Sequence, residues 1–175
     1  HLNKKNKLNN LTGKEWIKFT KSWFIHSPKR RVKDEILHPA KYPESLVEEF
    51  IQFFTKENEW VFDPFLGTGS TLIAAANANR NAVGVELLRK YFNIAKKRIK
   101  ASESNNEIIP LIGNSLHINK LFAKAKLTEQ LFDYVITSPP YWNQLKQNSM
   151  RQKNRTEQGL DTKYSSQKND LGNID

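Results

Sequence analysis

The chain has 175 residues, 38% of them hydrophobic, which is enough for one soluble domain with its own core. No apolar run approaches the roughly 20 residues that span a bilayer and no secretory signal opens the chain, so a cytoplasmic location without a membrane partner is expected. Cysteine is absent, which excludes a disulfide framework, a thiolate zinc site and a cysteine nucleophile, and no metal site is expected.

The formal net charge of +10 sits mainly at the start of the chain. Lys4, Lys5, Lys7, Lys14, Lys18, Lys21, Lys29, Arg30, Arg31 and Lys33 face a single acid, Glu15, within residues 1–33. Trp16, Phe19, Trp23 and Phe24 are interleaved with them, a pattern that suits a phosphate backbone and stacking on bases, and equally a solubilising tail. Thr12 followed by Glu15 has the form of a capping box, and the spacing of Trp16, Ile17, Phe19, Thr20 and Trp23 predicts a short amphipathic helix over 12–24. Ser27-Pro28 breaks it, and His38-Pro39-Ala40-Lys41-Tyr42-Pro43 is punctuated by proline. A second helix is expected from about Pro43, with Leu46, Val47, Phe50, Ile51 and Phe54 as its buried stripe.

Strands and helices then alternate. Strands are predicted over 60–65, 82–87, 107–112 and 132–137, with helices over 70–77, 89–100 and 118–127 between them. This order predicts an α/β fold: a parallel, Rossmann-like sheet with helices on both faces. The expected organisation is a basic arm over 1–33, a catalytic domain over 34–142 and a polar loop or disordered tail over 143–175. With four strands, the last would have an unpaired side unless something covers it.

Asp63-Pro64-Phe65-Leu66-Gly67-Thr68-Gly69-Ser70 lies between the first strand and its helix, where open parallel sheets bind nucleotide-like ligands. Gly67 and Gly69 let backbone approach a ligand, and the helix start offers free amides. A dinucleotide fingerprint would need a third glycine where Leu72 stands, and a P-loop would need Gly-Lys-Ser/Thr. Asp63 would repel a pyrophosphate and pair with a cationic amino-acid moiety, which points to S-adenosyl-L-methionine. Glu86 ends the second strand 19 residues after Gly67, at the spacing of an acid that takes two ribose hydroxyls. Asn114, after the third strand, is placed to meet an adenine or to serve as a turn residue.

Thr137-Ser138-Pro139-Pro140-Tyr141-Trp142 follows the apolar run Phe132-Asp133-Tyr134-Val135-Ile136. A strand ending in a polar residue, two prolines and an aromatic forms a stiff, flat-walled pocket suited to a planar amino group. Taken together, these motifs resemble those of the amino-group DNA methyltransferases. His38, Pro39, Ala40 and Pro43 are similar to that family's cofactor-side motif, Asp63 to Ser70 (with Pro64, Phe65, Gly67 and Gly69) to its glycine motif, Glu86 to its ribose acid, and Ser138-Pro139-Pro140-Tyr141 to its catalytic motif. Asp170-Leu171-Gly172-Asn173-Ile174 resembles a segment that follows the catalytic motif in bacterial members.

The resemblance implies a site-specific enzyme that moves a methyl group from S-adenosyl-L-methionine to the exocyclic nitrogen of a base flipped out of double-stranded DNA. Ser138 and the Pro139 carbonyl would accept the amino hydrogens, and Tyr141 would stack on the base. Ser at position 138 resembles the cytosine-N4 branch more than the adenine-N6 branch. Without cysteine, methylation of cytosine C5 through a covalent adduct is excluded. Asn114 departs from the family's usual aspartate, and the later strands and target-recognition region of the family are not seen. The chain therefore reads as a fold truncated after its fourth strand, opening on His1, a piece of a longer product. Two other readings stand beside this one: an RNA or protein (glutamine) N-methyltransferase, and an inactive or split half that needs a complementary polypeptide. A restriction endonuclease is a further expected partner.

Overall fold

The computed structural model describes residues 5–21, 23–26, 42–140, 150–160, 162 and 170–171. Helix α1 (Gly13–Phe19) starts on the predicted capping box: the Thr12 N–H donates to Glu15 Oε2 at 2.7 Å, and the Glu15 N–H donates to Thr12 Oγ1 at 3.3 Å. It is shorter than the periodicity predicts because the Thr20 hydroxyl donates to the Ile17 carbonyl at 2.8 Å and closes the last turn. Helix α2 (Glu44–Phe54) begins directly after Pro43, whose φ of −64° suits a helix entry. It buries Val47 and Ile51. The Thr55 hydroxyl donates to the Ile51 carbonyl at 2.6 Å, and buried Arg80 donates to the Thr55 carbonyl at 2.7 Å, a cation at the negative end of the helix.

The sheet contains β1 (Trp60–Asp63), β2 (Asn81–Glu86), β3 (Ile108–Ile112) and β4 (Tyr134–Val135) in the order β3-β2-β1-β4, all parallel. Between them run α3 (Ser70–Asn77), α4 (Arg89–Lys100) and α5 (Ile118–Ala125). Alternate residues supply two cores. Val61 and Ala82 pack with Ile51, Leu72, Ala75 and Ala95 on one face, while Phe62, Val83 and Val85 pack with Leu121, Phe122 and Phe132 on the other. Ala74 and Ala75 are fully buried, so the small side chains of α3 let it lie close to the sheet. Burying a side chain such as Leu72 or Ile51 contributes about 1.5–3 kcal/mol. The alternation and both helical layers agree with the α/β expectation.

Strand β4 is shorter than predicted, although the ladder extends past it through the Asp133 N–H to the Trp60 carbonyl at 2.9 Å and the Ile136 N–H to the Phe62 carbonyl at 3.1 Å. Among the described residues its outer side carries no strand, and Val135 is 54% exposed. Helix α6 (Met150–Glu157) stands where composition predicts a loop. Its sequence MRQKNRTE lacks an apolar stripe, but Met, Arg, Gln, Lys and Glu are all good helix formers.

The aromatics of the basic arm turn inward. Phe19 stacks on Phe53 with centroids 4.0 Å apart, Trp16 meets Phe53 at 4.8 Å, and Phe24 meets Phe50 at 5.3 Å. These rings fasten the arm to α2 and are not available for bases, whereas Trp23 is 66% exposed. Lys5, Lys7, Lys14, Lys18 and Lys21 remain exposed. Among the described residues no helix is long and apolar enough to cross a membrane.

Candidate functional site

The loop between β1 and α3 turns on two glycines in the left-handed region, Gly67 with φ 57° and Gly69 with φ 91°. They do different work. The Gly67 N–H donates to Glu86 Oε2 at 2.8 Å, which ties the loop to the end of β2. A Cβ on Gly69 would lie 3.0 Å from the Ala95 Cβ and 3.2 Å from its Cα, so this glycine lets α4 pack against the loop. Ser70 points to α2, its hydroxyl donating to Glu44 Oε1 at 3.0 Å. Arg98 completes that anchor, donating to the same Glu44 oxygen at 2.8 Å and to the Thr68 carbonyl at 2.7 Å.

Asp63 is 1% exposed and receives four donors from this chain. The Phe65 N–H at 3.0 Å and the Thr137 hydroxyl at 2.7 Å reach Oδ1, while the Tyr42 hydroxyl at 3.2 Å and the Thr71 hydroxyl reach Oδ2. Burial pushes the Asp63 carboxyl above its ordinary value, and the bonds from Thr71, Thr137, Phe65 and Tyr42 oppose that shift. Burial and the neighbouring Asp63 push the Tyr42 hydroxyl well up. The carboxylate proposed from sequence to face a cationic ligand thus lies beneath the glycine loop, joining β1, the start of α2, α3 and the end of β4. Sequence reading missed Tyr42, Thr71 and Thr137 as its partners, since none is adjacent to it along the chain.

A cavity opens above this hub at the carboxyl ends of the strands, where β1 lies between β2 and β4. Of the residues singled out from sequence, Pro64, Phe65, Glu86, Asn114, Ser138 and Pro140 line it. Pro43, Asp63, Gly67, Gly69, Ser70 and Pro139 do not. His38, Pro39, Ala40 and Tyr141 lie outside the described residues. Tyr91, Ser115, Asp170 and Leu171 also line the cavity, and only the last two carried any signal, as part of the Asp-Leu-Gly-Asn-Ile segment.

Glu86 is 7% exposed and accepts from the Gly67 N–H through Oε2 and from the Leu88 N–H through Oε1, the latter at 2.7 Å. Burial pushes its carboxyl from 4.5 up to about 7; the two N–H bonds oppose the shift, and the charges of Asp63 and Asp170 add to it. Each oxygen keeps a further lone pair for an incoming hydroxyl. Asn114 accepts from the Leu116 N–H at 2.9 Å through Oδ1, and Ser115 donates to the Pro64 carbonyl, fixing the loop after β3 against the glycine loop. No lysine, arginine or histidine lines the cavity among the described residues. Apolar walls from Pro64, Phe65 and Leu88, an amide, and a carboxylate able to meet vicinal hydroxyls fit a nucleoside that carries positive charge.

The N6/N4 methyltransferase profile, described as DNA methylase, matches residues 1–97. The type II methyltransferase M.HinfI of Haemophilus influenzae is 39% identical over 87 residues, covering 48% of this chain and 24% of that protein. The type II methyltransferase M.BglII of Bacillus subtilis is 31% identical over 88 residues, covering 50% and 24%. The matches thus span about a quarter of the length of these relatives. The crystal structure of the M1.HpyAVI–SAM complex shares 32% identity with a TM-score of 0.37, covering 46% of this chain and 45% of that one. With the four parallel strands and the family match over more than half its residues, the chain belongs to the N6/N4 DNA methylase family of S-adenosylmethionine-dependent amino-methyltransferases.

Proposed function

We propose that the cavity holds S-adenosyl-L-methionine and that the protein serves methylation of an exocyclic amino nitrogen in double-stranded DNA, cytosine N4 in preference to adenine N6. The observation that carries this reading is the common wall: Ser138 and Pro140, from the catalytic motif, line the same cavity as Glu86 and Asn114, from the nucleoside side. Glu86 would take the ribose hydroxyls, Asn114 the adenine edge, and Pro64 and Phe65 its flanks. When bound, the cofactor supplies an electrophilic methyl group on a sulfonium.

The chain's own part is positioning. An aromatic amino nitrogen is a weak nucleophile because its lone pair is delocalised into the ring. Hydrogen bonds from both amino hydrogens to Ser138 Oγ and the Pro139 carbonyl would draw the nitrogen toward tetrahedral geometry and localise that pair. The base must leave the duplex to reach them, with Tyr141 assigned the stacking face. Most of the acceleration would come from orientation rather than from a covalent intermediate.

The β4 edge supports a second element of the reading. An exposed, two-residue parallel edge strand invites further strands, so turnover would require a complementary polypeptide. The test is methyl transfer from labelled cofactor to duplex DNA, RNA and protein, with and without a complementary polypeptide, followed by mass spectrometry of the modified nucleoside. N4-methylcytosine in duplex DNA is expected; label confined to RNA or protein would sink the DNA reading. N6-methyladenine would overturn only the choice of base, and a restriction endonuclease partner would be sought by co-purification.

A further inference from the structure

Residues 5–26 carry five lysines against one acid, Glu15, and the arm they form is anchored to the domain. Buried Asn9 donates to the Phe53 carbonyl, Asn10 Oδ1 accepts from the Glu57 N–H at 3.0 Å, and Trp16, Phe19 and Phe24 pack on α2. A solubilising tail needs none of these anchors. On α1, Trp16 and Phe19 mark the side that meets α2, and the helical period puts Lys14, Ile17 and Lys18 on the opposite side. All three are exposed, Ile17 by 73%. Glu15 lies to the edge of that face, and its Oε2 accepts from both the N–H and the hydroxyl of Thr12.

Farther along, exposure alternates from residue to residue. Phe24 and His26 turn to α2, meeting Phe50 at 5.3 Å and Ser45 Oγ at 3.1 Å, while Trp23 and Ile25 are 66% and 79% exposed. Both segments of the arm thus use α2 as support and present outward a face where ammonium groups stand beside bare apolar side chains. Apolar side chains grouped in water on an anchored surface mark a contact site, and the lysines say what it contacts. A polyanion with closely spaced phosphates meets the charge, and the sugar and groove edges between its phosphates meet the apolar side chains.

We infer that the outward face of the arm, built by Lys14, Ile17, Lys18, Trp23 and Ile25, is a docking surface for the backbone of duplex DNA. The lysines neutralise phosphates, and Trp23 and Ile25 cover the sugar and groove edge. Such a contact carries no sequence information; it holds and orients the duplex. The inference rests on the reading of duplex DNA as substrate and asks nothing of the cofactor cavity.

The experiment is fluorescence anisotropy of a short labelled DNA duplex of mixed sequence, titrated with the 175-residue chain over a series of salt concentrations without cofactor. Each phosphate contact adds about 0.9 to the slope of log affinity against log salt, so Lys14→Gln with Lys18→Gln is expected to lower that slope by about 2. Lys120→Gln with Lys124→Gln, an exposed pair at the same spacing on α5, removes the same charge and should leave the slope unchanged. Trp23→Ala should weaken binding about fivefold with the slope intact, because burying apolar surface releases no counterions. Equal slopes for the two lysine pairs would show diffuse attraction and overturn the inference, as would no binding by the parent at low salt. Tighter binding to an RNA duplex of the same sequence, or to phosphatidylglycerol vesicles, would give the face another partner and overturn it as well. Arm-dependent DNA binding without methyl transfer to DNA would leave this inference standing while the proposed function fails, and DNA methylation with a slope indifferent to Lys14 and Lys18 would do the reverse.

Discussion

The Thr137 hydroxyl donates to Asp63 Oδ1 at 2.7 Å, joining the last residue before Ser138 to the carboxylate at the end of β1 across 74 positions of sequence. This bond sets where the Ser138-Pro139-Pro140 run leaves the sheet. Asp63 in turn is held by Phe65, Tyr42 and Thr71, so Ser138 is referenced through one buried carboxylate to both the glycine loop and α3.

Thr137→Val removes that donor and leaves a buried carboxylate one bond short. A loss of about 1–3 kcal/mol is expected in urea denaturation. Thr137→Ser keeps the hydroxyl and should remain close to the parent, apart from the lost methyl. Equal losses in the two variants would show that packing, not the bond, matters here.

Glu86 makes stability depend on pH in a defined direction. Its folded-state carboxyl titrates at about 7 against an ordinary 4.5, so below 4.5 it is protonated in both states and contributes nothing. Between those values the folded chain binds more protons than the unfolded one, and stability falls as pH rises, by about 3 kcal/mol across the window. Above about 7 the carboxylate is ionised in both states and the full burial cost is present. Glu86→Gln should flatten this slope, which denaturation curves at a series of pH values would reveal. Cofactor binding should run the other way, strengthening as pH rises from about 6 to 8, because hydroxyl donors favour the ionised acceptor.

Gly69→Ala places a Cβ at φ 91° and 3.0 Å from the Ala95 Cβ. Left-handed strain and overpacking together should destabilise by about 2–4 kcal/mol. Adding Ala95→Gly removes the Cβ contact but leaves the backbone Cα at 3.2 Å and the strain at φ 91°, so the double variant should recover only part of the loss in thermal melts. Full recovery would show that the backbone conformation at Gly69 carries no cost.

Ser138→Ala should leave cofactor affinity within about twofold, since the other cavity contacts remain, yet lower methyl transfer by roughly 100-fold in the assay with the complementary polypeptide. Calorimetry and single-turnover labelling separate the two effects. A matched loss of both would move Ser138 from the transfer step to the cofactor wall.

The sequence alone determined what is written in local pattern. The two-residue alternation of Val61 and Phe62, the alanines of α3, the proline before α2 and the Thr12–Glu15 box each bias the backbone over a few residues, so strands, helices and the glycine turn could be read without coordinates. Their ends were less legible: α1 stops at a hydroxyl-capped turn, and α6 forms on propensity without a stripe. The meaning of individual polar residues depended on what lies across the fold. Asp63 reads as a ligand-facing acid and lies as an enclosed hub beneath the glycine loop, Gly69 serves the approach of α4, Trp16, Phe19 and Phe24 pack on α2, and Asp170 lines the cavity from a distant segment. Parallel order places β1 beside both β2 and β4, and that adjacency, set by crossovers rather than by neighbouring residues, decided which donors and charges meet.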